Sequence, residues 1–321
     1  MQTRTRWAVL GTGYLAQTAM PDLQRTENVE VVAVGSRDAE RAAEFAGRWG
    51  IPRHYGSYET LLADGGFDLA YIATPPSTHA PLARLALESG FHTLVEKPFT
   101  LNADEAAGLA DLAREHGRFL MEAMWTRFNP AIRAVGKLIG DGAIGEVVSL
   151  HADFGLRLPA HHNAYNPALG AGALYDLGCY NVALAHHVLG PPTRIEARGA
   201  LSPEGFELTA AAYLGYPDSR FAQLAVSMIS RMSPVARIGG TEGEIVIGPT
   251  FLNPRSYELI REHRELFNVE LEGAGWVPMF REVSEAVQTG LTELGTNPLA
   301  DSIAVMRTMD AIRRSIAAPA Q

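Results

Sequence analysis

Apolar positions along this chain follow two regimes. Up to about residue 122, short apolar runs alternate with stretches whose hydrophobic residues recur every three or four positions. Residues 7–10, Val29–Gly35, 68–74, 93–96 and 119–121 are near-continuous apolar runs, as strands buried on both faces require. Residues 15–25, 38–49, 81–89 and 102–116 carry a helical period between them, and Asp38 stands where an N-cap belongs. This alternation predicts a doubly wound parallel sheet. From residue 146 the runs VVSLHADFGL, TRIEARGAL, FELTAAAYLGY, SRFAQLAVSMI and EIVI succeed one another mostly without helices, which predicts a largely antiparallel open sheet. In residues 221–229 both faces are apolar except at Gln223 and Ser227, so helices are expected on one face and a second subunit is a candidate for the other. Residues 170–190, 277–289 and 298–315 read as helices. The expected class is α/β: residues 1–122 as a dinucleotide-type domain, and residues 123–321 as an α+β domain for substrate and oligomerisation. The aromatic stretch EAMWTRFNP (122–130) is expected to bridge them and line the cleft.

Composition narrows the classes of partner. At 321 residues the chain can bury two sizeable cores, and 47% hydrophobic with 20% charged residues is ordinary for a globular protein. A formal net charge of −9 argues against nucleic acid or an anionic membrane as the main partner. Cys179 is the only cysteine, so no internal disulfide can form and a reducing compartment is expected. No apolar run is long enough to cross a bilayer. Arg4 and Arg6 precede an apolar run, but it breaks at glycine too early for a signal peptide, and cytoplasm is the expected location.

The first run is followed by Gly11, Thr12, Gly13, Tyr14, Leu15 and Ala16, the G-x-G-x-x-A form of the dinucleotide fingerprint. The first glycine makes the tight turn, the second admits the pyrophosphate, and the small alanine lets helix pack on strand. After the second strand, an NAD site wants an acid for the ribose hydroxyls; this chain has Ser36 and Arg37, with Arg41 one turn on. A hydroxyl and a guanidinium suit the additional phosphate of NADP, so NADP(H) is expected over NAD(H), although an arginine here can also be an exposed loop residue. Ala73, Thr74 and Pro75 end the next strand and are candidates to line the dinucleotide. His79 is a further candidate, although a histidine in a first helical turn more often caps or packs.

TLVEKPF (93–99) is the most informative stretch. A strand ends there on Glu96, Lys97 and Pro98, and ligands of parallel sheets bind at the carboxyl ends of strands. Lys97 therefore points toward the expected site, where the plain alternative is a solvated strand-end charge. In GAGALYDLGCYNVALAHHVLG (170–190), Asp176 and Tyr180 stand four apart, on one face of a helix. If that helix faces the cleft, Lys97 favours the phenolate of Tyr180, which takes a proton from a carbinol while hydride passes to nicotinamide. Asp176 would orient the lysine or a substrate hydroxyl; the plain alternative for Tyr180 is a buried tyrosine satisfied by a carbonyl. The adjacent pairs His161–His162 and His186–His187 diverge on a helix, and no metal site is expected. Cys179 reads as a small buried hydrophobe.

Gly11-Thr12-Gly13, Glu96-Lys97-Pro98 and the Gly172…Asp176…Tyr180 helix together resemble the Gfo/Idh/MocA oxidoreductases, named after glucose–fructose oxidoreductase and inositol dehydrogenase, over essentially the full length. The resemblance implies an N-terminal Rossmann domain, a C-terminal open-sheet domain, homo-oligomers (dimer or tetramer) built on that sheet, and a catalytic Lys97 before a cis-prolyl bond. Tyr180 stands where inositol-type members carry histidine. With MEAMWTRFNP upstream, it resembles the branch of dimeric trans-dihydrodiol dehydrogenase and NADP-dependent D-xylose dehydrogenase. That likeness implies Tyr180 as acid/base with Lys97, and Trp125, Arg127 and Phe154 around the substrate; Arg157, His161 and Asn163 follow in the next loop. The activity implied is an NADP(H)-dependent oxidoreductase of a sugar, cyclic polyol or trans-dihydrodiol. The alternatives are a ketoreductase of a modified or nucleotide-linked sugar and a non-catalytic dinucleotide sensor, which would not need Lys97 and Tyr180.

Overall fold

The computed structural model describes residues 4–318, in two compact units. The first comprises residues 4–125 together with Glu272–Ser302, a return of the chain that the sequence reading does not include. It runs β1 (Thr5–Leu10), α1 (Tyr14–Arg25), β2 (Val29–Gly35), α2 (Ala39–Trp49), β3 (Arg53–Tyr55), α3 (Tyr58–Asp64), β4 (Leu69–Ile72), α4 (His79–Glu88), β5 (His92–Val95), α5 (Ala103–Glu115) and β6 (Leu120–Glu122). Six strands form one parallel sheet in the order β3-β2-β1-β4-β5-β6. The order reverses direction between β1 and β4, and that switch point opens a crevice beyond the strand ends.

The apolar runs explain this layout. Trp7 to Leu10 and Leu69 to Ile72 are fully buried, as central strands covered on both faces must be. Asp38 caps α2 by accepting from the amides of Glu40 and Arg41, and Asn102 caps α5 through Glu105 N. The returning helix, Val277–Gln288, belongs here because its face completes an aromatic cluster. Phe280 meets Trp7 and Tyr71 edge-on at centroid distances of 5.6 and 5.8 Å, and Trp7 Nε1 donates to Ser284 Oγ at 3.1 Å. Fully buried aromatics contribute about 2–3 kcal/mol each, with edge contacts adding to that.

The second unit comprises residues 126–271 and 303–318. Its elements are α6 (Pro130–Gly140), β7 (Val147–Gly155), α7 (Cys179–Leu189), β8 (Arg194–Leu201), β9 (Glu207–Gly215), β10 (Phe221–Ser227), β11 (Ala236–Gly240), β12 (Glu244–Ile247), β13 (Ser256–Ile260) and β14 (Arg264–Asn268). The chain closes with α8, the returning helix Val277–Gln288, and α9 (Leu299–Ala317), whose first residues fall in the first unit. Eight strands form one sheet, β14-β13-β12-β11-β7-β10-β9-β8, antiparallel throughout except where β7 and β10 run parallel. Alternate residues Ala152, Phe154, Leu224 and Val226 are buried toward α7, which packs on β7 and β10. The opposite face carries His151, Asp153, Glu196, Arg198, Tyr213 and Gln223 around an open depression of about 620 Å³. Among the described residues, no helix is long and apolar enough to cross a membrane.

Candidate active site

The strand ends of the first sheet converge by continued backbone pairing. Gly11 N donates to Gly35 O at 2.9 Å, Ala73 N to Leu10 O at 2.9 Å, and Glu96 N to Ile72 O at 3.0 Å. Gly11, Ser36, Ala73 and Glu96 are thereby brought to one edge of the sheet. Gly11 has φ of +115°, and a Cβ there would lie 2.5 Å from Ala73 O, so glycine is required by conformation and by space. A Cβ on Gly13 would meet nothing within 4 Å. Gly13 also caps α1 without a side-chain hydrogen bond, leaving the amides of the first turn pointing outward as an anion cradle. Ala16, the third fingerprint position, is fully buried, whereas Tyr14 is 86% exposed and Leu15 half-buried. These features fit a dinucleotide pyrophosphate.

At the end of β2 stand Ser36 and Arg37, and the next carboxylate, Asp38, caps α2. Ser36 is buried and its hydroxyl accepts from Asp38 N at 3.3 Å. Arg37 and Arg41 are exposed, Arg41 lying 3.6 Å from Asp38. Thr74 and Pro75 are half-buried across the switch point from the Gly11 turn.

Lys97 follows β5 in the turn Lys97–Pro98–Phe99, with a cis bond before Pro98. Two neighbours named from the sequence have buried side chains. Glu96 is 1% exposed; Tyr71 Oη donates to its Oε1 at 2.6 Å and Lys97 N to its Oε2 at 3.1 Å. Burial pushes the Glu96 carboxyl up to about 7, against the Tyr71 hydrogen bond and the Lys97 charge and with help from nearby Glu122. His79 is fully buried, its Nδ1 2.8 Å from Pro98 O and its Nε2 2.8 Å from Thr74 O. Burial lowers its basicity, the two carbonyls oppose this, and the Lys97 charge adds to it. Each ring nitrogen of His79 faces a carbonyl, between the end of β4 and the Lys97 turn, and a neutral ring donates to one of the two. The Glu96 side chain is likewise buried, with one donor on each oxygen.

Trp125 also lies in the first unit, 8% exposed and stacked on Trp276 at 4.8 Å between centroids. This second indole was not legible as a site neighbour, since it lies 151 positions along a chain segment with no motif of its own.

In the second unit, Asp176 and Tyr180 do not share one regular helix. Leu174–Gly178 is a π-helical turn that runs into α7 at Cys179. Such wide turns concentrate at functional sites. Asp176 is half-buried and Tyr180 is buried, with the Phe154 ring 6.3 Å from the Tyr180 ring and Phe251 6.5 Å beyond. Arg127 is 5% exposed and borders, with Tyr180, His187 and Phe251, a cavity of about 10 Å³. That volume holds roughly one water. The π turn is anchored from below: Arg313 Nε donates to Glu207 Oε1 at 2.8 Å, and another guanidinium nitrogen donates to Tyr175 Oη. Arg157, His161 and Asn163 are exposed in the loop after β7. Cys179 is buried.

Comparison with known proteins decides the family. Residues 5–124 match the oxidoreductase family with an NAD-binding Rossmann fold, and residues 132–246 match the GFO/IDH/MocA C-terminal domain. Trans-1,2-dihydrobenzene-1,2-diol dehydrogenase of Bos taurus is 33% identical over 97% of this chain and 96% of its own. The chain belongs to the Gfo/Idh/MocA oxidoreductases. D-xylose 1-dehydrogenase (NADP(+)) 2 of Haloferax volcanii is 34% identical, covering 96% of each chain. A 3-ketoreductase from Actinomadura kijaniata, solved with NADP and TDP-benzene, superposes with a TM-score of 0.88 at 28% identity over 98% of both chains. As a Gfo/Idh/MocA protein this is an oxidoreductase acting on CH–OH groups, with an NAD(P)-binding Rossmann fold and a C-terminal domain built on a mostly antiparallel sheet.

Proposed function

We propose that this protein is an NADP(H)-dependent oxidoreductase that moves hydride between nicotinamide and a carbinol or carbonyl of a sugar, cyclic polyol or trans-dihydrodiol. The observation that carries the reading is Lys97 at the carboxyl end of β5, beside a switch point whose glycine turn fits a dinucleotide. The first unit holds the cofactor, and the second supplies the substrate contacts and the oligomer interface. The Gly11–Leu15 turn receives the pyrophosphate and Ala73–Pro75 border the crevice. Ser36, Arg37 and Arg41 bind the adenosine phosphate. Exposed guanidiniums accept that dianion, whereas an acid at the end of β2 would repel it. The names of the relatives support NADP and the substrate class, since they act on a dihydrodiol and on D-xylose.

The bound cofactor supplies the hydride acceptor or donor. Tyr180 is the acid/base at the substrate oxygen, taking the hydroxyl proton during oxidation and returning it during reduction. A phenol normally ionises near pH 10, and an ammonium favours a phenolate, which is the part proposed for Lys97. Asp176 orients the reacting group, while Phe154 and Trp125 give apolar surfaces that exclude water. Steady-state reduction of NADP⁺ with Lys97→Ala tests this assignment. A loss of at least about a hundredfold in kcat with KM for NADP⁺ little changed is expected; full turnover in the variant removes the assignment.

A second reading has its own support. The ketoreductase neighbour was solved with a nucleotide-linked ligand, so reduction of a keto group on a nucleotide-linked sugar is the alternative substrate class, with the same Lys97 and Tyr180 roles. The open face of the eight-stranded sheet, with Tyr213 and Phe221 stacked at 5.8 Å, suits a homo-oligomer interface. Light scattering of the purified protein tests that: a dimer or tetramer is expected, and a monomer at micromolar concentration excludes it.

A further inference from the structure

Asp22 stands in the last turn of α1, 2% exposed, beside the buried Ala19, Met20 and Leu23. Local chemistry disfavours it there twice. Aspartate is a poor helix former, and a carboxylate in a last turn faces the negative end of the helix dipole. Its partners lie 252 and 254 residues further along the chain. Ala274 N donates to Oδ1 at 2.9 Å and to Oδ2 at 3.0 Å, and Trp276 N donates to Oδ2 at 2.9 Å. Trp276 is the N-cap of α8 and makes no side-chain cap of its own. The carboxylate of α1 therefore caps α8 from outside, satisfying the N-cap amide and placing negative charge at the positive end of that dipole.

The loop before α8 is shaped to this carboxylate. Gly273 has φ of +64°, and a Cβ there would collide with Asp22 Oδ1, so only glycine lets the loop close over it. Glu272 pairs with Arg281 of α8 at 2.6 Å and ties down the other end of the loop. The loop delivers one aromatic ring. Trp276 stacks on Trp125 with centroids 4.8 Å and planes 27° apart, and both are buried. Trp276 Nε1 is buried and meets no hydrogen-bond acceptor among the described residues. With no bond of its own to orient it, the indole takes its place from the stack and from the main chain, which Asp22 fixes.

We propose that Asp22 is a positioning residue for substrate: it holds Trp276 against Trp125 and so sets the ring face that Trp125 turns to a sugar or dihydrodiol. This rests on the reading of Trp125 as an apolar wall given above. A ring already held in one orientation need not be ordered when substrate arrives, which removes an entropic cost from binding. A flat apolar face recognises a ring by stacking, in the ground state and the transition state alike. The effect of Asp22 therefore belongs in KM for the substrate and not in kcat.

Far-ultraviolet circular dichroism of the full chain reads the stack without turnover, because two indoles this close couple and split their absorption band into a couplet. Trp276→Phe assigns the couplet by removing it. Asp22→Ala should remove it too, whereas Asp22→Asn, which keeps an acceptor at the Oδ2 position, should retain it. Gly273→Ala pushes the loop off the carboxylate with α1 unaltered, and decides the matter if Asp22→Ala does not fold. The kinetic probe is NADP⁺ reduction with trans-1,2-dihydrobenzene-1,2-diol and with D-xylose. Asp22→Ala and Gly273→Ala should raise KM for the compound turned over on the order of tenfold, with kcat within about threefold and KM for NADP⁺ within about twofold. Either readout left unmoved in both folded variants overturns the proposal. Trp125→Ala separates it from the reading beneath: an unchanged KM there removes Trp125 from the substrate and the proposal with it. A raised KM there, beside unmoved Asp22→Ala and Gly273→Ala, removes the proposal alone. Failure of the parent protein to turn over either compound counts against both.

Discussion

At the scale of single residues, two positions at the strand ends bear directly on the proposed cofactor site. Gly11 combines a positive φ with a Cβ position 2.5 Å from Ala73 O. Gly11→Ala is expected to destabilise the first unit by about 2–3 kcal/mol and to abolish dinucleotide binding, measured by thermal unfolding with and without NADPH. Retained binding would show that the turn can relax. Arg37 is exposed at the end of β2. Arg37→Asp is expected to weaken NADPH by roughly tenfold or more while NADH changes little, by fluorescence titration; equal losses for both would place the selectivity elsewhere. Strand-end position made Gly11, Arg37 and Lys97 legible in the sequence, because a parallel sheet sends every such residue to one edge. Burial was not legible. Glu96 and His79 sit among site residues in the chain, yet their partners are a tyrosine hydroxyl and backbone atoms from other strand ends.

At the scale of elements, buried strands announced themselves by unbroken apolar runs, and the capped helices by Asp38 and Asn102. The hairpin of β13 and β14 did not, because SYELI and RELFN mix charges with an inward face of Tyr257 and Leu259. Neither did the π turn before α7. Its width comes from tertiary anchoring, not local propensity: Tyr175 and Glu207 both bind Arg313, and Gly172 passes so close to Glu207 that a Cβ would lie 2.5 Å from its Oε2. Glu207 is 2% exposed while Arg313 is partly open to solvent. Arg313→Met should therefore cost about 2 kcal/mol or more, by leaving a buried carboxylate uncompensated. If the turn positions Asp176 and Tyr180, the variant also loses kcat. Denaturant unfolding and steady-state kinetics on the same preparation check both, and unchanged stability would contradict the anchoring role.

At the scale of the whole molecule, the buried Glu96 carboxyl gives stability a pH signature. Its ionisation is raised from the ordinary 4.5 to about 7, so the native state holds a proton that the unfolded chain has released between those values. Stability contributed by this group is complete below about pH 4.5 and falls as pH rises toward 7, by a total of about 3 kcal/mol. His79 acts oppositely, since its basicity is lowered in the fold and its contribution grows with pH up to its unfolded value near 6.5. The difference between the parent and Glu96→Gln isolates the first effect. Unfolding free energies compared at about pH 5 and pH 8 should show the parent losing about 3 kcal/mol more than the variant; parallel curves would mean that Glu96 is ionised throughout.

Turnover is the most direct measure of the proposed acid/base roles. Purified protein should reduce NADP⁺ with at least one class among aldoses, inositols and trans-dihydrodiols, or oxidise NADPH with a keto sugar linked to a nucleotide, and Tyr180→Phe should lower kcat by about a hundredfold or more while NADPH still binds. Undiminished turnover in Tyr180→Phe would contradict the assignment of Tyr180 as the acid/base.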